Sequence, residues 1–350
     1  MADLADQLHT ASNDDHSTIV TIGLNAAIVA VSDEAPQVTV VRRPGERSSD
    51  AAGIPDDSDG LPFGPFEPAL HRTLELGLRT WVDEQTGLSL GYTEQLYTFG
   101  DRGRHAADGD GSPQVVSIGY LALTDEPELT KGTDTVWQPW YRYFPWEDWR
   151  NGEPDLIGKV IRPLLEMWSK DTKDSSDQRR RWDRVCQCFG FETSTWDEEK
   201  VLERYELLYE AGLIYEAQRD RPRLHADKVK LVEPPLGAPM LYDHRRILAT
   251  AMGRLRGKLK YRPVVFELMP PAFTLLELQR TVEAISGVRI HKQNFRRLLE
   301  KTGMVEPTGD VSTKTGGRPA ALFRFRRDVL KERPAPGVKL PSRSKTARHR

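Results

Sequence analysis

Apolar and polar positions along this chain follow two spacings, and each change of spacing marks an element. From Thr18 to Val31 a largely apolar run, TIVTIGLNAAIVAV, predicts a long strand. QVTVVRR at 37–43 predicts its antiparallel partner across a short turn containing Pro36. Residues 44–62 are rich in Gly, Ser, Asp and Pro and predict a loop. Over Pro68–Gln85 the spacing becomes helical: Leu70, Leu74, Leu78, Trp81 and Val82 share one stripe, and Gly87 supplies the stop. GYTEQLYTFG at 91–100 and VVSIGYLAL at 115–123 predict two more strands, separated by DRGRHAADGDGSP. The order β-β-helix-β-β predicts an α+β or sandwiched α/β fold, and no internal repeat is present.

Further along, WQPWYRYFPWEDW at 137–149 carries four tryptophans. Aromatics at this density predict core or interface, since each removes a large area from water. A stacking platform for single-stranded nucleic acid is the alternative, and the acidic neighbourhood weighs against it. DLIGKVIRPLLEMW (155–168), WDRVCQCFGF (182–191) and DEEKVLERYELLYEAGLIYEA (197–217) predict helices, with SKDTKDSSDQRRR (169–181) as an exposed loop between them. Pro234, Pro235 and Pro239 mark a boundary. Beyond it an amphipathic helix is predicted, with Ile247, Leu248, Ala251, Leu255 and Leu259 on its apolar side. It ends before Pro263, because the residue preceding proline is pushed out of helical space.

The stretch 273–326 predicts helix, turn, basic helix and wing. Thr274-Leu-Leu-Glu277 is a capping box, so a helix starts at Leu275. Leu275, Leu278, Val282 and Ile285 face inward, and Gly287 permits the turn. A second helix is expected from about His291 to Thr302, seated by Phe295, Leu298 and Leu299. Lys292, Gln293, Asn294, Arg296 and Arg297 are left on its outer side. Arginine bonds guanine bidentately, and Asn or Gln does the same to adenine, each contact discriminating by about 1–3 kcal/mol. Met304–Pro307 and Leu322–Phe325 predict wing strands around a Gly309–Arg318 connection carrying Lys314 and Arg318 as phosphate contacts. The candidate DNA-binding set is therefore Thr274, Lys292, Gln293, Asn294, Arg296, Arg297, Lys314 and Arg318. A winged helix used for protein contact is the alternative.

Charge sharpens this picture. The net charge of −2 conceals about +16 from Leu241 onward and about −18 before it. A basic third on an acidic body suits a polyanion partner, because phosphate neutralisation dominates DNA affinity. No apolar run approaches the roughly 18–20 residues of a membrane span, and the first residues lack an export leader, so no membrane partner and a cytoplasmic, nucleoid-associated location are expected. Cys186 and Cys188 are too close for an ordinary staple, and with His225 and His244 they lack metal-finger spacing, so no metal is assigned.

Leu61-Pro-Phe-Gly64-Pro, the helix after it and Asp83-Glu84-Gln85-Thr86-Gly87-Leu88 resemble a Nudix box, G-x5-E-x7-R-E-U-x-E-E-x-G-U. In that family the helix glutamates hold Mg²⁺ for pyrophosphate cleavage, which needs clustered oxygen ligands. Anchored on Gly87, only Glu84 survives of the paired carboxylates. A one-residue slip recovers Arg79 and Asp83-Glu84 but leaves Thr80 in a ligand's place. No catalytic residue is assigned, and no enzyme activity is expected. TEQLYTFGDRGR (93–104), VVSIGYLAL, the run 243–279 and GGRPAALFRF (317–326) resemble the NrtR-type Nudix-related transcriptional regulators, and in layout the longer NadQ-like alphaproteobacterial NAD regulators.

The resemblance implies a degenerate Nudix-like α/β/α sandwich with a helical insertion, followed by a winged helix-turn-helix. The expected divisions are a disordered 1–17, a ligand-sensing domain at 18–130, the aromatic-rich and helical insertion at 131–239, a linker helix and winged helix at 240–330, and a basic tail at 331–350. It also implies a homodimeric repressor of NAD biosynthesis genes on a double-stranded operator. That repressor needs no cofactor and is tuned by ADP-ribose, an NAD-related metabolite or an adenine nucleotide. Arg42, Arg43, Tyr97, Phe99 and Arg102 are the candidate effector residues, since arginines suit pyrophosphate and aromatics suit adenine. Two rivals remain: an active pyrophosphatase on ADP-ribose or NADH, and a protein-binding scaffold.

Overall fold

A computed structural model describes residues 20–42, 58–100, 114–125, 134–220, 234–313 and 319–329. The expectations for 1–17, Arg43, Arg102, His225, Lys314, Arg318 and the basic tail lie outside the described residues.

The first apolar run forms β1 (Val20–Ser32), paired antiparallel with β2 (Ala35–Val41) from Val29 opposite Val38 to Ser32 opposite Ala35. The turn is Asp33-Glu34, both at positive φ, 50° and 59°. Two such residues match the right-handed twist of a tight hairpin. Pro36, expected in the turn, instead sits inside β2 opposite Val31. β3 (Phe63–Pro65) lies antiparallel to β1, and β5 (Gln114–Leu123) runs parallel to it from Val20/Gln114 to Val29/Leu123. β4 (Tyr92–Phe99) and β6 (Thr135–Pro139) complete a sheet of order β4-β5-β1-β2-β6.

Period-two alternation then gives each sheet face its own core. Leu24, Ala26 and Ile28 point to one face and meet Leu78 and Val82 of α1 (Leu74–Thr86). Ala27 and Val29 point to the other and join Ile247, Leu248, Ala251 and Leu255 of α6 (His244–Tyr261). α6 lies so close that a Cβ on Gly119 of β5 would sit 2.9 Å from Ile247. The result is the expected α/β/α sandwich, with the helix read as a linker forming its second helical layer. α1 begins later than the stripe from Pro68 predicts. The Thr73 hydroxyl accepts the Leu76 N–H and sets the start, so Leu70 falls in a preceding turn, 74% exposed.

The segment between β6 and α6 is a helical layer: α2 (Arg162–Lys170), α3 (Ser175–Phe189), α4 (Val201–Glu210) and α5 (Tyr215–Asp220). The expected loop 169–181 is overturned in its second half. Asp174 accepts the Ser176 N–H as an N-cap, and residues 175–181 form the first turns of α3. Trp140, Tyr143, Phe144 and Trp146 are fully buried. The aromatic segment is therefore core, and its buried rings offer no stacking platform.

The C-terminal unit has β7 (Phe273–Thr274), α7 (Leu275–Ser286), α8 (Lys292–Thr302), β8 (Val305–Ser312) and β9 (Ala320–Phe325), with sheet order β7-β9-β8. The wing strands are longer than predicted. Val311 and Ser312 pair with Ala321 and Ala320, so Gly309–Ser312 belongs to a strand and not to the connection. An irregularity between Pro307 and Val311, with Gly309 at φ 92°, lets β8 run on.

Candidate nucleic-acid interface and sensor site

The reading head is built from its caps outward. The Thr274 hydroxyl accepts the Glu277 N–H at 3.2 Å, and the Thr274 N–H donates to the Glu277 carboxylate at 2.6 Å. Thr274 is only 3% exposed. Its hydroxyl and amide are engaged in starting α7, so the structure gives it a capping role. α8 starts after His291 and stops at Gly303, which adopts φ 61°. Phe295 and Leu299 are buried, with Leu298 half-buried against the same core. Lys292, Gln293, Asn294, Arg296 and Arg297 are all exposed, as spacing along a helix requires once Phe295 and Leu299 face inward. Arg297 Nη2 donates to Asn294 Oδ1 at 2.9 Å, so these two side chains are already oriented together across one turn. Phe325 of β9 stacks on Phe266 at 4.3 Å between centroids, fastening the wing to the turn that precedes β7.

One carboxylate organises the turn between α7 and α8. Glu283 is buried and accepts from Gln279 Nε2 at 2.8 Å, Arg289 Nη1 at 2.7 Å and the Ile290 N–H at 3.0 Å. Burial by itself would raise its carboxyl, but the donors from Arg289, Gln279 and Ile290 outweigh it and hold the group below the ordinary 4.5. Arg280 and Arg289 also approach Glu34 of the β1–β2 turn, at 3.4 and 3.8 Å. The sequence reading missed both arginines. Their pairing with Glu283 is local, but their approach to Glu34 has no local signature, because that carboxylate lies more than two hundred residues away.

Of the expected effector residues, the described ones, Arg42, Tyr97 and Phe99, are not brought together. Arg42 Nε donates to Asp59 Oδ1 at 2.9 Å; Tyr143 donates its hydroxyl to Asp59 Oδ2 at 2.6 Å, and Arg142 stands 3.8 Å away. Asp59 is buried, so Arg42 and Arg142 form the half-exposed rim of a small ionic cluster. Burial pushes the Tyr143 hydroxyl up and the Asp59 carboxylate pushes it further, so Tyr143 remains a donor. Tyr97 and Phe99 sit on β4, separated from β2 by β5 and β1. Tyr97 falls at a register shift and is 54% exposed, whereas Phe99 is 5% exposed beneath the Arg246 guanidinium. Phe99 is thus a core residue rather than a surface waiting for adenine.

The helix carrying the Nudix-like residues also differs from a magnesium site. Arg79, the residue recovered by the one-residue slip, pairs with Glu75 at 2.9 Å and also donates to the carbonyls of Leu90 and Gly91. Glu75 accepts the Thr93 hydroxyl as well, and the Arg79 hydrogen bond holds its carboxyl below the ordinary value. The Thr80 hydroxyl bonds its own helix at the Leu76 carbonyl, while Asp83 and Glu84 stand exposed at the last turn. Among the described residues no group of three or more His, Cys, Asp or Glu is arranged to hold a metal ion. Mg²⁺ takes oxygen ligands in a demanding octahedron, and this donor set does not fit it.

A sheet flanked by α1 and α6, joined to a winged helix with a cationic second helix, defines a two-part fold. Residues 265–325 match the family model described as the NrtR DNA-binding winged helix domain. The chain is 43% identical over 101 residues to the "ADPR responsive transcriptional repressor NtrR" of Acinetobacter baylyi, a match covering 29% of this chain and 40% of that protein. It thus spans less than half the length of the curated relative it matches. In structure it is similar to Shewanella oneidensis NrtR complexed with a 27mer DNA, at 20% identity and a TM-score of 0.51, over 89% of this chain and 95% of that one. It is likewise similar to Shewanella oneidensis NrtR solved without DNA, at 19% identity and a TM-score of 0.50 over 88% and 95% of the two chains. Residues 265–325 are an NrtR-type winged helix, and the chain as a whole has the NrtR two-part, Nudix-like fold.

Proposed function

We propose that this protein is a homodimeric transcriptional repressor that reads double-stranded operator DNA with α8 and responds to an ADP-ribose-containing metabolite through its Nudix-like sandwich. The observation that carries the reading is the exposed set Lys292, Gln293, Asn294, Arg296 and Arg297 on a helix whose apolar residues are committed to the core. Those side chains supply both phosphate attraction and base-edge donors. The Acinetobacter relative, by its name an ADPR-responsive repressor, supports the choice of effector. Dimerisation follows from operator geometry: one small module covers few base pairs, and two-fold proteins read palindromes. NAD biosynthesis genes are the proposed targets, in a cytoplasmic setting. The protein needs no cofactor and does no hydrolysis, because its helix carboxylates are dispersed or paired with Arg79.

The test is a gel shift with the gene's own upstream region, titrated with ADP-ribose, NAD, NADH and ATP. Specific binding that weakens with salt and changes with one of these ligands supports the proposal. Absence of duplex binding at low ionic strength overturns it. Brisk Mg²⁺-dependent release of AMP from ADP-ribose, abolished by Glu84→Gln, would establish the pyrophosphatase instead.

A further inference from the structure

The C-terminal end of α7 is capped by its own domain only at the Glu283 carbonyl, which accepts the Gly287 N–H at 3.0 Å; the carbonyls after it look elsewhere. The Ala284 carbonyl accepts the Tyr141 hydroxyl at 2.7 Å, the Ile285 carbonyl accepts Arg256 Nε at 3.0 Å, and the Gly287 carbonyl accepts the Trp149 N–H at 2.8 Å. A helix leaves its last carbonyls without intrahelical donors, and here the donors come from the segment after β6 and from α6. Arg256 is fixed in turn by Glu147, whose carboxylate also takes Arg204 at 2.6 Å through Nε and 2.9 Å through Nη2. All three side chains are at most 2% exposed. Arg204 lies over the Trp196 ring at 3.8 Å and bonds the Cys188 and Asp197 carbonyls, so the network reaches the helical layer. Gly287 completes the fit: it adopts φ 73°, and a Cβ there would lie 2.5 Å from the Glu147 carbonyl oxygen.

We infer that Tyr141, Glu147, Trp149 and Arg256 are positioning residues for DNA reading. They act as an external cap that locks the turn between α7 and α8 onto the sensor, so that sensor and reading head move as one body within a protomer. This rests on the proposed repressor function, and it assigns the insertion a role: an effector alters the spacing of two reading heads by moving protomers against each other. The physical reason is that a cap made of buried, mutually satisfied ionic and backbone hydrogen bonds has no second arrangement to switch to. Removal of one partner leaves a buried charge unpaired.

The Trp149 amide provides a readout that does not depend on DNA, because its only route to exchange is loss of the bond to Gly287. In the full-length protein, hydrogen exchange at Trp149 is expected to be as slow as in the β1–β5 ladder, and ADP-ribose is expected not to speed it. Tyr141→Phe removes the bond to the Ala284 carbonyl and the longer one accepted from Arg256 Nη2 at 3.4 Å, while Arg256 keeps its Glu147 partner, and it should speed Trp149 exchange about 2- to 10-fold while the β1–β5 amides stay unchanged. The same variant should lose operator selectivity by a similar factor, with its non-specific DNA affinity retained. Glu147→Gln, if it folds, should show a larger exchange effect. Trp149 exchange at the rate of an open peptide, acceleration by ADP-ribose, or no effect of Tyr141→Phe would each overturn the inference. If the chain binds no DNA, the repressor reading fails while the exchange data still decide whether the cap exists.

Discussion

Two groups of arginines in the basic C-terminal third behave in opposite ways. Arg245 and Arg256 are buried, the first pairing with Glu216 at 3.1 Å and the second with Glu147 at 2.6 Å. Arg296 and Arg297, forty residues on, stand in solvent on α8. The excess of about +16 counts all four alike, yet only the second pair contributes to a field that DNA can feel. A charge ledger taken from sequence therefore overstates the reading surface. Part of the basic excess answers the acidic front half inside the molecule, and serves to weld the two halves together.

Breaking the buried group should have the largest effect. Glu147→Gln strands Arg204 and Arg256 and is expected to cost about 3–5 kcal/mol, read as a fall in the urea midpoint of the whole chain. Substituting the exposed group should leave stability within about 0.5 kcal/mol. Arg296→Ala or Arg297→Ala should nevertheless lower discrimination between operator and scrambled duplex by about 1–3 kcal/mol, measured by competition binding. Lys292→Ala sharpens the contrast, because its affinity loss should be similar for all sequences, with a salt slope about 1 unit shallower. At the junction of the two regions, Gly287→Ala combines a positive φ with the close approach of Glu147, and should cost about 1–3 kcal/mol by thermal melting.

Acid should act on the buried turn between α7 and α8. Glu283 is held below its ordinary 4.5, so its contribution is present above that pH and is lost as the pH falls through the lowered value. Glu283→Gln should flatten that part of the acid-melting curve. An unchanged curve would mean that Arg289, Gln279 and the Ile290 amide do not hold the charged form. The smallest effect belongs to Thr274→Ala: loss of the capping hydroxyl should cost about 1 kcal/mol of stability with operator selectivity intact. A selectivity change without a stability change would instead place Thr274 at the DNA.

Much of the molecule was legible beforehand because local chemistry dictates it. The capping box at Thr274, the glycine stops at 87, 287 and 303, the outward face of α8 and the hairpin of β1 and β2 each follow from a few neighbouring residues. The late start of α1 escaped notice because Leu70 has the right spacing while Thr73 supplies the stronger signal. The first turns of α3 escaped because three arginines and a run of Asp and Ser suit a solvated helix as well as a loop. The sensor residues were the hardest to place. Arg42 and Phe99 are each chemically suited to a nucleotide, yet Asp59 engages the first and the core takes the second.

The order of elements, the two cores of the sandwich and the cationic reading helix were set by periodicity and caps, which act over a few residues. Which arginine faces water and which is neutralised is a different kind of fact. It depends on Glu147 meeting both Arg204 and Arg256 across long stretches of chain, and a pairing of that range exists only once the tertiary structure has formed.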